Sequence, residues 1–127
     1  MDFPRVPQAT LLFLPGDNSS VLRQLASRMA RQPIIHFGDL DPAGIEIFEA
    51  LVAEKFPIKH FVPSYIEEFV LTHAQPCKKP WPQRDYSSFH SVVSRLASSG
   101  FWLEHEALVV DHRFEAELEA MIRDAIP

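Results

Sequence analysis

The sequence has little cysteine, no long apolar run and no signal-peptide pattern in its first residues. Cys77 is the single cysteine among 127 residues, so an internal disulfide is excluded and a reducing compartment fits. No apolar run approaches the roughly 20 residues that a membrane helix needs. The N-terminal stretch lacks the basic-then-apolar pattern of a signal peptide. We therefore expect a protein without a membrane segment, located in the cytoplasm.

Excess positive charge is also lacking. The formal net charge is −5, so charge alone gives no sign of nucleic-acid binding. Such a role would need a local basic face, a bridging cation or a partner domain. The hydrophobic content of 46% is nevertheless that of an ordinary globular protein. We predict a single domain over residues 1–127, and whether it is the C-terminal part of a longer protein stays open.

Short apolar runs alternate with segments of helical period. Strands are predicted over 10–14, 34–37 and 58–62, and helices over 21–31, 42–56, 64–73, 87–98 and 113–126. Residues 101–110 suit either a helix or a strand. The alternation predicts βαβ units. The expected fold class is α/β, with a short, mostly parallel central sheet of about four strands and helices on both faces.

Three aspartates follow two of these strands. Asp17 comes after the first strand, and Asp39 and Asp41 come after the second. If the strands are neighbours, the three carboxylates meet at one edge of the sheet, where ligands bind in parallel folds. Oxygen ligands of this kind suit Mg²⁺ or Mn²⁺. The alternative is an acidic turn in which Asp39 or Asp41 caps the helix that begins at Pro42.

The stretch "HFGDLDPAGIEIFEAL", residues 36–51, resembles the DxD motif of Toprim domains, which cleave DNA strands with a metal ion. The closest likeness is to the Toprim domain of topoisomerase VI A subunits and to JetD-like nucleases of Wadjet anti-plasmid systems. Residues 100–110, "GFWLEHEALVV", resemble the "LEQE" segment of JetD-like proteins. Asp17 and Asn18 stand where those families carry glutamate and asparagine, which shortens the acidic arm by a methylene.

The resemblance implies a Toprim-like domain with a set of functional carboxylates. Catalytic roles are implied for Asp17, Asp39, Asp41 and Glu104, and metal ligation for these four and Glu106. In Toprim enzymes the first acid acts as general acid or base. If Asp17 joins the metal shell instead, a water or Glu104 is left as the base.

Two further features are open between a functional and a structural interpretation. Lys78, Lys79 and Arg84 surround Trp81, and cations beside an aromatic ring can bind phosphate and stack on a base. The alternative is a loop around a half-buried tryptophan. His105, between the two glutamates, is either a ligand or general acid, or a solvated histidine.

The functional prediction is Mg²⁺-dependent cleavage of DNA within a multi-subunit DNA-processing or anti-plasmid system. DNA and protein subunits are the expected partners, and a homodimer is a further option. The alternative is a non-catalytic Toprim-like module that binds DNA or a protein. A phosphatase of the haloacid dehalogenase type also uses DxD, but it expects threonine or valine where this chain has Ala43.

Overall fold

The computed structural model describes residues 32–54 and 57–126, together with Thr10, Gln24 and Arg28. Residues 32–54 and 57–126 form a small mixed α/β domain with five helices and two two-stranded sheets. In chain order the elements are β1 (Ile34–His36), α1 (Pro42–Ala53), β2 (Ile58–His60), α2 (Ile66–His73), β3 (Gln75–Pro76), α3 (Ser91–Ser99), β4 (Phe101–Trp102), α4 (His105–Val109) and α5 (Phe114–Ala125).

The predicted βαβ unit is present as β1, α1 and β2. The two strands are parallel, with Ile34 opposite Ile58 and His36 opposite His60. The second sheet pairs β3 and β4 antiparallel. Residues 11–14 of the predicted first strand lie outside the described residues. Of the helix predicted over 21–31, Gln24 and Arg28 are described, and both are helical.

Two predicted helix starts were wrong because nearby polar side chains are used elsewhere. Ser64 does not cap α2, since its backbone N–H and its hydroxyl both donate to the carboxylate of Glu117. The helix predicted over 87–98 is α3, and it begins at Ser91. Residue 87 lies in a preceding turn, where Asp85 accepts hydrogen bonds from Ser87. The helix ends at Ser99, one residue beyond the predicted end, and Gly100 follows in the left-handed region at φ 75°.

The core joins the βαβ unit to the C-terminal half of the chain. Phe37, Phe61 and Phe114 pack against one another with ring centroids 5.1–5.7 Å apart. The buried cluster consists of Leu40, Ile45, Phe61, Tyr65, Ile66, Trp81, Tyr86, Val92, Val93, Leu96, Leu103, Leu108, Phe114 and Leu118. Apolar burial of this kind is the main force that holds the acidic turn after β1 against the segment after β4. Among the described helices, none has the length and apolar character needed to cross a membrane.

Candidate metal-binding site

The acidic turn follows β1 and is fixed to a segment far away in the sequence. Leu40, between the two aspartates, pairs with Leu103 in an antiparallel bridge. The backbone N–H of each donates to the carbonyl oxygen of the other, with nitrogen-to-oxygen distances of 2.9 and 3.2 Å. Both leucine side chains are buried, at 3% and 0% exposure. Because the bridge is anchored in the core, "GDLD" and "LEHE" lie side by side. The structure therefore brings together two of the motifs that the sequence singled out.

Asp41 caps α1. Its Oδ1 accepts a hydrogen bond from the N–H of Gly44 at 2.6 Å, and Pro42 occupies the first turn, where no N–H is needed. Burial raises the pKa of Asp41, the Gly44 hydrogen bond opposes this, and the negative charges of Asp39 and Glu46 raise it further. The alternative interpretation of an acidic cap is thus correct for Asp41. Its second oxygen has no hydrogen bond to a described residue.

Asp39 is held by His105 from across the bridge. Its Oδ1 accepts the backbone N–H of His105 at 2.8 Å and lies 2.6 Å from the imidazole Nδ1. Burial alone would raise the pKa of Asp39, but the hydrogen bonds and charge of His105 outweigh it and leave the pKa below its ordinary value. The same hydrogen bond raises the pKa of His105. The pair is therefore stabilised as carboxylate and imidazolium.

The two glutamates flank His105 and are exposed. Glu104 is the residue before α4, next to the bridged Leu103, and Glu106 lies in the first turn of that helix. Both contribute negative potential at His105, which raises its pKa. Asp17 lies outside the described residues, so its predicted role stays a prediction.

The described residues contain no group of three or more His, Cys, Asp or Glu side chains arranged to hold a metal ion. They do contain two half-buried aspartates close enough for the charge of Asp39 to raise the pKa of Asp41. Each has one oxygen engaged by the protein and one with no described hydrogen-bond partner. Mg²⁺ is commonly bound by one or two carboxylates, with water and substrate phosphate completing its shell. The donor chemistry of Asp39 and Asp41 therefore fits such an ion.

The loop that carries Lys78, Lys79 and Arg84 does not present Trp81 as a surface on which a base could stack. Trp81 is 7% exposed and donates from Nε1 to the carbonyl of Phe101 at 2.8 Å, so its ring faces are not available to a base. Arg84 pairs with Glu49 at 2.5 Å. Lys78 and Lys79 are exposed and form no ion pair with another described residue. Nucleic-acid binding by these three cations stays a prediction. The alternative expected a half-buried tryptophan in this loop, and the structure buries Trp81 more deeply than that.

A comparison with known families identifies the chain. The family described as "Wadjet protein JetD, C-terminal" matches residues 1–117. The chain belongs to this family. The JetD C-terminal family match spans Asp17, the "GDLD" turn and the "LEHE" segment. No curated protein and no solved structure matches the chain significantly.

The predicted likeness to JetD-like proteins is confirmed, whereas Toprim identity stays a prediction. Sequence reasoning singled out Asp39 and His105 separately but missed that His105 holds Asp39. One signal was available, since His105 lies between the two matched glutamates. The sequence could not show that Asp39 is the partner of His105, because the residues of neither segment indicate that Leu40 pairs with Leu103.

Proposed function

We propose that this chain is a Toprim-type domain that cleaves DNA with a divalent cation, as a component of a Wadjet-like anti-plasmid system. The observation that carries the proposal is the Leu40–Leu103 bridge, which places Asp39 and His105 in contact at the predicted acidic site. Membership of the JetD C-terminal family supports the assembly. The Toprim fold, with the 10–14 strand completing a mostly parallel sheet of about four strands, is part of the proposal.

In this mechanism Asp39 and Asp41 would hold Mg²⁺ or Mn²⁺ through the oxygens that have no hydrogen bond to a described residue. Asp17 and Glu104 are the candidates for further ligation or for proton transfer, and Glu106 is a candidate outer ligand. A cation held there would neutralise the charge that develops on a scissile phosphate and lower the pKa of an attacking water.

DNA reaches the site with the help of partner subunits in this proposal. The net charge of −5 repels a phosphate backbone at long range. Lys78 and Lys79 offer local positive charge, whereas Arg84 is engaged with Glu49. A multi-subunit complex would supply the missing basic surface.

Replacing Asp41 with asparagine tests the proposal. Asparagine caps helices as well as aspartate does, so Asp41→Asn should keep α1 and lose only the charge. Loss of a metal ligand removes several kcal/mol of charge stabilisation, so metal-dependent plasmid nicking should fall about 100-fold or more. The matched control is Asp124→Asn, the same change on an exposed residue at the end of α5. Nicking at the wild-type rate in Asp41→Asn would rule out the mechanism.

A non-catalytic module that binds DNA or a protein is the second candidate. It is favoured by the fact that both aspartates already have structural uses, Asp41 as a cap and Asp39 as the partner of His105. Calorimetric titration of the wild-type chain with Mn²⁺ separates the two. No detectable binding would leave the second candidate as the function of this chain.

A further inference from the structure

His105 contacts both Asp39 in the acidic turn and the ring of Phe37. Its backbone N–H and its Nδ1 both reach Oδ1 of Asp39, at 2.8 and 2.6 Å. Two donors on one oxygen fix the rotamer of a carboxylate, because rotation about its χ angles would break both hydrogen bonds together.

The imidazole itself is held in place by packing. The ring of Phe37 meets it edge-on, with centroids 5.3 Å apart and an interplanar angle of 80°. Phe37 in turn packs on Phe61 and Phe114 in the core. The side chain of His105 is 28% exposed. The imidazole of His105 is therefore held on one side by Phe37 and through its Nδ1 by the carboxylate of Asp39.

We propose that His105 is a positioning residue for Asp39: it occupies one carboxylate oxygen so that the other is presented to a divalent cation. This inference rests on the proposed function, since it concerns the cation of that same site. Outer groups that hydrogen-bond to a ligand hold its orientation, and their loss lowers metal affinity about 10-fold to 100-fold. His105 does not touch the cation in this arrangement.

Two variants separate the hydrogen bond from the packing. His105→Phe keeps a ring against Phe37 but has no donor. His105→Asn loses the ring but carries a side-chain N–H in a position similar to that of Nδ1. The backbone N–H of residue 105 remains in both. His112→Phe is the matched control, because the side chain of His112 is 88% exposed and lies on a different turn.

The measurement is the Mn²⁺ dissociation constant of the whole chain by calorimetry at one fixed pH, with circular dichroism to show that each variant is folded. We expect His105→Phe to weaken Mn²⁺ binding about 10-fold or more. His105→Asn and His112→Phe should bind nearly as tightly as the wild-type chain.

Each other result overturns the inference. Unchanged affinity in His105→Phe would show that Asp39 needs no positioning. Weak binding in the Asn variant with normal binding in the Phe variant would show that packing matters and the hydrogen bond does not. Weak binding in both folded variants would remove the hydrogen bond as the specific cause. If the wild-type chain itself binds no Mn²⁺, the proposed function fails first, and that failure is visible before any variant is compared.

Discussion

At the scale of single residues, Gly44 shows how tightly the acidic turn folds onto α1. A Cβ built on Gly44 would lie 2.0 Å from the backbone oxygen of Asp39. The space is filled by the chain itself, so Gly44 is what lets Asp39 and Asp41 follow one another in so short a turn.

Gly44→Ala should therefore disturb the site and the fold together. The clash is with backbone, which cannot rotate away, and overpacking of this kind costs at least about 2 kcal/mol. Gly100→Ala is the comparison: its φ of 75° strains alanine by about 1 kcal/mol, but nothing lies within 4 Å of the added carbon. Urea unfolding of both variants measures the difference. A Gly44→Ala protein as stable as Gly100→Ala would contradict the close approach.

At the scale of elements, Arg113 joins three parts of the C-terminal half. Its guanidinium donates two hydrogen bonds to Glu68 on α2 and further ones to Asp111 in the turn before α5. It also lies over the ring of Tyr65, 4.4 Å from the centroid. These hydrogen bonds lower the pKa of Asp111 to about 2. The arrangement connects α2 and α5 through one planar group.

Arg113→Lys should lower the urea midpoint of unfolding even though the charge is kept. A lysine ammonium cannot make paired hydrogen bonds to two carboxylates while it stacks on a ring. The control is Arg123→Lys on α5, where an exposed pair with Glu119, four residues earlier, contributes about 0.5 kcal/mol or less. Equal midpoints for the two variants would show that Arg113 is an ordinary surface charge.

At the scale of the whole molecule, two histidines make stability depend on pH. His36 and His60 are opposite each other on the parallel strands, with ring centroids 5.6 Å apart, and Phe48 contacts both rings. Nδ1 of His60 is buried with no hydrogen-bond partner among the described residues. Burial lowers the pKa of each histidine to about 4, and for His60 the nearby charges of His36 and His90 add to this.

The folded chain should therefore lose stability as the pH falls from about 6.5 to about 4. The unfolded histidines take up protons near their ordinary pKa of 6.5, whereas the folded ones stay neutral until about 4, so acid favours unfolding over this interval. His105 acts in the opposite direction, since its raised pKa adds stability below about pH 6.5. The stability lost through the lowered pKa values of His36 and His60 should outweigh the stability gained through the raised pKa of His105.

Urea unfolding at a series of pH values checks this prediction. Replacing both His36 and His60 with phenylalanine should flatten the dependence between pH 6.5 and 4. His112→Gln, a change on an exposed histidine, should leave it as it is. A profile with the same slope in the double variant would show that these histidines are not the cause.

Assembly, including a homodimer, stays a prediction that sedimentation velocity can test.

The local elements of the described region were largely predictable, and their contacts were not. The strand at Ile34, the helix after Pro42 and the stop at Gly100 all depend on nearby residues, so pattern and turn chemistry were enough. The pairing of Asp39 with His105 depends on a bridge between distant segments. The start of α2 was missed for the same reason, because Ser64 is engaged by Glu117 from another helix.

The sequence by itself determined that this chain carries paired acids after an apolar strand, a second acidic segment near its end and a JetD-like order of motifs. Only the tertiary structure decided that Trp81 is buried and that Asp39 is held by His105. The physical reason is the separation along the sequence over which each interaction acts. Helix period and turn preference act over a few residues, whereas a shared hydrogen bond requires core packing to bring two distant stretches together.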